Sequence, residues 1–180
     1  MNIRNLKITN YIAFLFINLA LTSLQCSLWL QFFGFFPSPY MWLPTLAYWA
    51  IYREIHEGLF FSYFLVIETV ALSSIPLSLF LLINLFCFGL VVLIKQRIYW
   101  SGPTYLMLIS GIISIAFPIF HFFLSWAIEP KPISDTEILD GILSSLFTSL
   151  VAMPLYYLYS SIDKITNKSL PTEAGASKYE

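Results

Sequence analysis

Long apolar runs alternate with short polar stretches along most of this chain, and nearly all of the runs are long enough to cross a membrane. The first covers residues 8–33 and is interrupted only by a few Thr, Ser, Asn and Gln. At 1.5 Å per residue a helix of that length spans the ~30 Å hydrocarbon core of a bilayer. Further runs occupy 40–52, 58–74, 76–94, 105–128 and 138–160, so the pattern predicts six transmembrane helices. The second is short, and Pro44 near its start lacks an amide hydrogen, which predicts a thin, tilted or partly re-entrant helix. Pro118 is predicted to kink the fifth unless a neighbouring helix satisfies the carbonyl it frees. The first run lacks the short apolar core and small-residue cleavage site of a signal peptide, so it is expected to stay as an anchor. From residue 164 the chain turns polar and cannot bury enough apolar surface to offset ordering entropy, so 164–180 is expected to be a disordered tail behind a 1–163 membrane domain.

The basic residues add an orientation. Arg4, Lys7, Arg53, Lys95, Arg97, Lys164, Lys168 and Lys178 fall at the ends or in alternate connections, and Lys131 alone breaks the pattern. Lys and Arg near span ends resist translocation, which places both termini in the cytoplasm. Trp29, Tyr40, Trp42, Tyr99, Trp100 and Trp126 stand near the predicted ends, at the level amphipathic rings prefer. The expected fold is therefore an all-α, six-helix, multi-pass bundle with its termini inside. Composition agrees: 58% hydrophobic and 11% charged residues, against roughly half and a quarter in soluble domains. A net charge of -1 offers no basic patch for nucleic acid. Cys26 and Cys87 lie in separate apolar runs without zinc-ligand spacing, and they read as apolar fillers.

Few residues inside the runs can do chemistry. Glu68 is the only acidic residue well inside a span, and a charged side chain at a helix centre costs ~2.5 to 3.5 kcal/mol on insertion scales. Asn84 is expected at similar depth across a short turn formed by Ser73, Ser74 and Pro76, which makes a Glu68–Asn84 hydrogen bond reasonable. Such a bond would be interhelical glue or part of an ion or proton relay. Gln25 is a third intramembrane polar candidate. Gly141, Ser145 and Ser149 recur every four residues, as do Ser110 and Ser114. Both stripes allow close helix approach, for internal packing or for a partner. His121 reads as an interfacial histidine, and His56 with Glu57 as a solvated turn. No phosphate loop, nucleophile elbow or surface carboxylate pair is present, so no catalytic residue, metal or cofactor is expected.

Several short motifs resemble the MreD family of rod shape-determining membrane proteins. Leu24, Gln25, Cys26 and Ser27 are similar to its Leu-Gln-small-Ser element, which precedes a Pro-bearing outer turn. Pro39, Tyr48, Trp49, Arg53 and Gly58 are similar to its second span and basic inner turn. Glu68 to Leu77 resembles the family's Asp-Leu-hydrophobic-Ser-Gly-Ser-Pro-Leu-Gly segment, with Glu68 at the Asp and Ser73 at the second Ser. Leu72 and Pro76 stand where Gly is common, so the turn geometry does not carry over. Pro154, Tyr156 and Tyr157 resemble a Pro-aromatic element, while Ser149 occupies a frequent Asn position. The resemblance implies a non-enzymatic scaffold of the bacterial inner membrane. Its partners would be lipid, MreC and, directly or indirectly, MreB and the peptidoglycan glycosyltransferase and transpeptidase pair. The competing reading is a substrate-binding transporter subunit like that of a vitamin importer, with Glu68 and Asn84 lining its cavity.

Overall fold

The computed structural model describes residues 3–73, 75–98, 100–128 and 135–168, and these are helical apart from short connections. In chain order the helices are α1 (Ile3–Ser23), α2 (Trp29–Phe33), α3 (Trp42–Tyr52), α4 (Ile55–Leu72), α5 (Leu77–Arg97), α6 (Pro103–Ile128) and α7 (Asp135–Ile165), with a π-turn at Leu24–Leu28 joining α1 to α2. Five helical segments are long and apolar enough to cross a membrane: Lys7–Leu28, Ile55–Leu72, Leu77–Arg97, Pro103–Ile128 and Leu139–Ile165.

The expected second span is different in kind. Residues 37–40 are not helical, as two prolines in four residues dictate, and α3 then has 11 residues, a length of only ~16 Å at 1.5 Å per residue. Every one of its residues is buried. It packs against α1, α4, α5, α6 and α7 and so forms the axis of the bundle rather than part of its wall. Aromatic rings fill the space around it. Trp49 stacks on Phe61 with centroids 3.8 Å apart, Phe14 meets Trp49, Tyr48 and Tyr159, and Trp42 lies edge-on to Phe80 and Phe117. Such contacts carry much of the packing energy where lipid removes the hydrophobic drive between helices.

Several helices run past the expected boundaries. Lys95 and Arg97 lie in the last turn of α5 rather than in a loop, where they complement the carbonyl end of the helix dipole. Gly102, at φ +122°, turns the chain so that Pro103 can open α6, a position where the missing N–H costs nothing. The helix α7 continues through Asp163 and Lys164, and Thr166 and Lys168 still touch the bundle. The rest of the expected polar tail, 169–180, lies outside the described residues, as does Lys131.

Candidate functional site

The densest polar cluster is a buried ion pair at one end of the bundle. Arg53 follows α3 directly, and its Nη2 donates to Asp163 Oδ1 on α7, with side chains 3% and 0% exposed. Removing two charges from water costs several kcal/mol per ion unless other hydrogen bonds satisfy them, and here they largely do. Asn10 Nδ2 donates to Asp163 Oδ1 at 2.9 Å and to Thr166 Oγ1 at 2.7 Å. Tyr48 OH donates to Asp163 Oδ2 at 2.7 Å, and Arg53 Nη2 also reaches Asn10 Oδ1 at 3.3 Å. The guanidinium lies over the rings of Trp49 and Phe14, 5.2 and 5.9 Å from their centroids. This cluster ties together the start of α1, the end of α3 and the end of α7. Around it Lys168 and Lys7 approach Glu57 at 3.1 and 4.0 Å, and Lys95 Nζ donates to Ala50 O at 3.2 Å.

A second polar contact lies farther along α1. Glu68 does not bond Asn84. Its Oε2 instead accepts Asn18 Nδ2 at 2.8 Å, while Asn84 Nδ2 donates to Ser62 O at 3.4 Å. The reason is helix rotation: Asn84 meets α4 at Ser62, six residues before Glu68, while Glu68 is turned toward Asn18 on α1. The inward face of α1 carries the buried Asn10, Phe14, Asn18 and Thr22, and Gln25 in the π-turn beyond it is half-buried.

Gln25 performs a defined structural task. Its Oε1 accepts Met41 N at 2.9 Å, and Thr148 Oγ1 on α7 accepts Tyr40 N at 2.8 Å. The first amides of a helix have no partner within it, and Pro44 contributes none. Two side chains from neighbouring helices thus close the start of α3 where non-helical backbone must be satisfied by protein. The π-turn at Leu24–Leu28 contains Gln25, in keeping with the placement of such turns at special positions in long helices.

The small-residue stripes of α6 and α7 face each other. Ser145 Oγ donates to Ser114 O at 2.7 Å. That carbonyl is the one Pro118 leaves without its helical donor, so the amide hydrogen the proline lacks is replaced from α7. Ser114 Oγ reaches Ser145 O at 3.4 Å, and Ser149 Oγ reaches Met107 O at 3.2 Å. A Cβ built on Gly141 would stand 2.7 Å from Pro118 Cβ and 3.0 Å from Tyr40 OH. Ser110 is buried beside them with no hydrogen-bond partner for its hydroxyl.

At the α4–α5 turn, Ser73 N donates to Val70 O at 3.2 Å and Pro76 caps α5, whereas Ser74 lies outside the described residues. His121 lies against Phe117. Cys26 and Cys87 are free thiols, and no group of three His, Cys, Asp or Glu able to hold a metal occurs among the described residues.

Sequence reasoning therefore reached Glu68, Gln25 and both stripes but missed Asn10, Asn18, Tyr48, Arg53 and Asp163 as members of sites. Asn10 and Asn18, eight residues apart on one face of an otherwise apolar helix, were the available signal. Compared with known proteins, the chain matches no family model, no curated protein and no solved structure.

Proposed function

We propose that this protein is a non-enzymatic, membrane-embedded assembly module, and that its role is the one implied by the MreD resemblance: a scaffold of the cell-wall elongation machinery in the bacterial inner membrane. The observation that carries the reading is α3. An all-buried, aromatic-rich helix occupies the bundle axis, where a carrier would keep its ligand, and the polar groups at its two ends bind the chain to itself. What the fold offers to other molecules is then its outer helical surface, suited to partners such as MreC and, directly or through it, MreB and the glycosyltransferase and transpeptidase pair.

The same proposal includes six crossings with both termini cytoplasmic. In support, Lys7, Arg53, Lys95 and Lys168 gather at one end of the bundle, as the positive-inside rule requires of a single face. In this reading α3 and the extended residues before it complete the second crossing together.

Affinity purification in mild detergent followed by protein identification tests the role. Wall-synthesis proteins should be recovered with the chain. Recovery of transporter subunits, or a stoichiometric vitamin-like molecule in the purified protein, would replace the scaffold with the substrate-binding subunit of an importer.

A further inference from the structure

We infer that Glu68 is a proton-binding site within the apolar part of the bundle: at neutral pH it keeps its proton and donates it to Asn18 Oδ1, closing a reciprocal acid–amide pair between α4 and α1. This goes beyond the scaffold reading and stands whichever partners the protein has.

The geometry of Asn18 leads to it. The residue is fully buried, and its Nδ2 donates to Glu68 Oε2 at 2.8 Å. Its Oδ1 is also buried and receives no donor from the protein. An ionised carboxylate has only acceptors to offer, so it would leave that amide oxygen unsatisfied beside a negative charge, at a cost of ~1–3 kcal/mol for the orphaned group alone. A carboxylic acid has one acceptor and one donor, spaced to match the two poles of a planar amide. One proton therefore satisfies both side chains.

Among the described residues of the helices packed around Glu68, no cation is placed to hold the charged form instead. The charged residues of α1 are Arg4 and Lys7, those of α4 are Glu57 and Glu68, those of α5 are Lys95 and Arg97, and α3, which also packs on α4, has none. Apart from Glu68 these all belong to the Arg53 end. Glu57 and Lys7 are each three helical turns away along their own helices, about 16 Å at 1.5 Å per residue. The other titratable side chains of these helices, Tyr11, Tyr48, Tyr52, His56, Tyr63 and Cys87, include one potential cation, His56, which is farther still along α4. The neighbours of Glu68 on the outer face of α4 are the exposed Phe64 and Ile67, which in a bilayer keep water from the carboxyl.

Infrared spectroscopy of the full-length protein in phosphatidylcholine vesicles at neutral pH tests the assignment. The wild type should show a carboxylic-acid carbonyl band that moves on ¹³C-glutamate labelling, which assigns it without any substitution. Glu68→Gln should abolish the band, and Asn18→Leu should shift it to higher frequency because the acid carbonyl loses its donor. The absence of any glutamate acid band in the wild type would show an ionised Glu68 and overturn the inference. A band that survives Glu68→Gln, or that Asn18→Leu leaves in place, would overturn it equally.

Discussion

Arg53 and Asp163 are 110 residues apart in sequence, yet among the described residues each is the other's only ion-pair partner in a buried site. Removing one partner leaves an uncompensated buried charge, whereas removing both takes away the charge and leaves only the neutral polar groups of Asn10 and Tyr48 to re-pair. Asp163→Ala should therefore destabilise the protein by about 3–5 kcal/mol, read as a loss of the folded fraction in detergent denaturation. The double variant Arg53→Met with Asp163→Leu should recover part of that loss, the remainder being the Tyr48 hydroxyl and Asn10 amide left without Asp163. If the double variant were as unstable as the two single losses combined, the pair would not be the source of the effect. The sequence exposed Glu68 because a lone carboxyl inside an apolar run has few bland explanations. It hid Asp163 because charges are ordinary at span ends, and only the fold shows that this one is fully enclosed. The Glu68 partner was misjudged for a related reason: a short turn makes Asn84 a neighbour in depth, but rotation about the helix axis decides contact, and Asn18 is 50 residues away in sequence.

At the scale of elements, α3 and the α6–α7 pair depend on different physics. The helix α3 begins inside the bundle, so the Tyr40 and Met41 amides that lead into it need acceptors from elsewhere, and Thr148 and Gln25 supply them. Gln25→Leu keeps the side-chain bulk but strands the Met41 amide, and it should cost about 1–3 kcal/mol, measured as a lower midpoint in thermal unfolding. An unchanged midpoint would mean that water reaches Met41 and that α3 does not start within the bundle. The α6–α7 contact depends on closeness instead. At Gly141 an added methyl would meet Pro118 Cβ at 2.7 Å, and both atoms belong to stiff parts of the structure. Gly141→Ala should thus force the helices apart at a cost of about 1–3 kcal/mol, visible in the same assay. Full stability in Gly141→Ala would mean that the two helices are free to separate. The small-residue spacing made this contact legible in sequence, and Pro44 with the short run around it foretold an unusual second segment. That the segment is the axis was not legible, since an apolar helix reads alike whether it faces lipid or protein.

For the whole molecule the orientation of the bundle is the property on which the proposed role depends, because partners on the cytoplasmic and outer sides of a wall-building complex differ. The shared cluster of Lys7, Glu57 and Lys168, together with Lys95 beside Ala50, brings the start of α1 and the ends of α3, α5 and α7 to one end. Helix polarity then carries the connection between α2 and α3 to the other end, where Phe35 is fully exposed. Cysteine labelling in intact cells can read this directly once Cys26 and Cys87 are replaced by Ala. Gln96→Cys and Lys164→Cys should resist a membrane-impermeant thiol reagent until the membrane is opened, whereas Phe35→Cys should react at once. Two of these positions flank the basic cluster and the third lies past α2, so the contrast depends on the fold and on the positive-inside rule jointly. If Gln96→Cys and Phe35→Cys were labelled from the same side, the chain between them would cross the bilayer an even number of times rather than three. The buried α3 would then have to be a re-entrant hairpin arm rather than half of a crossing, and the cytoplasmic face assigned to the Arg53 cluster would be lost with it.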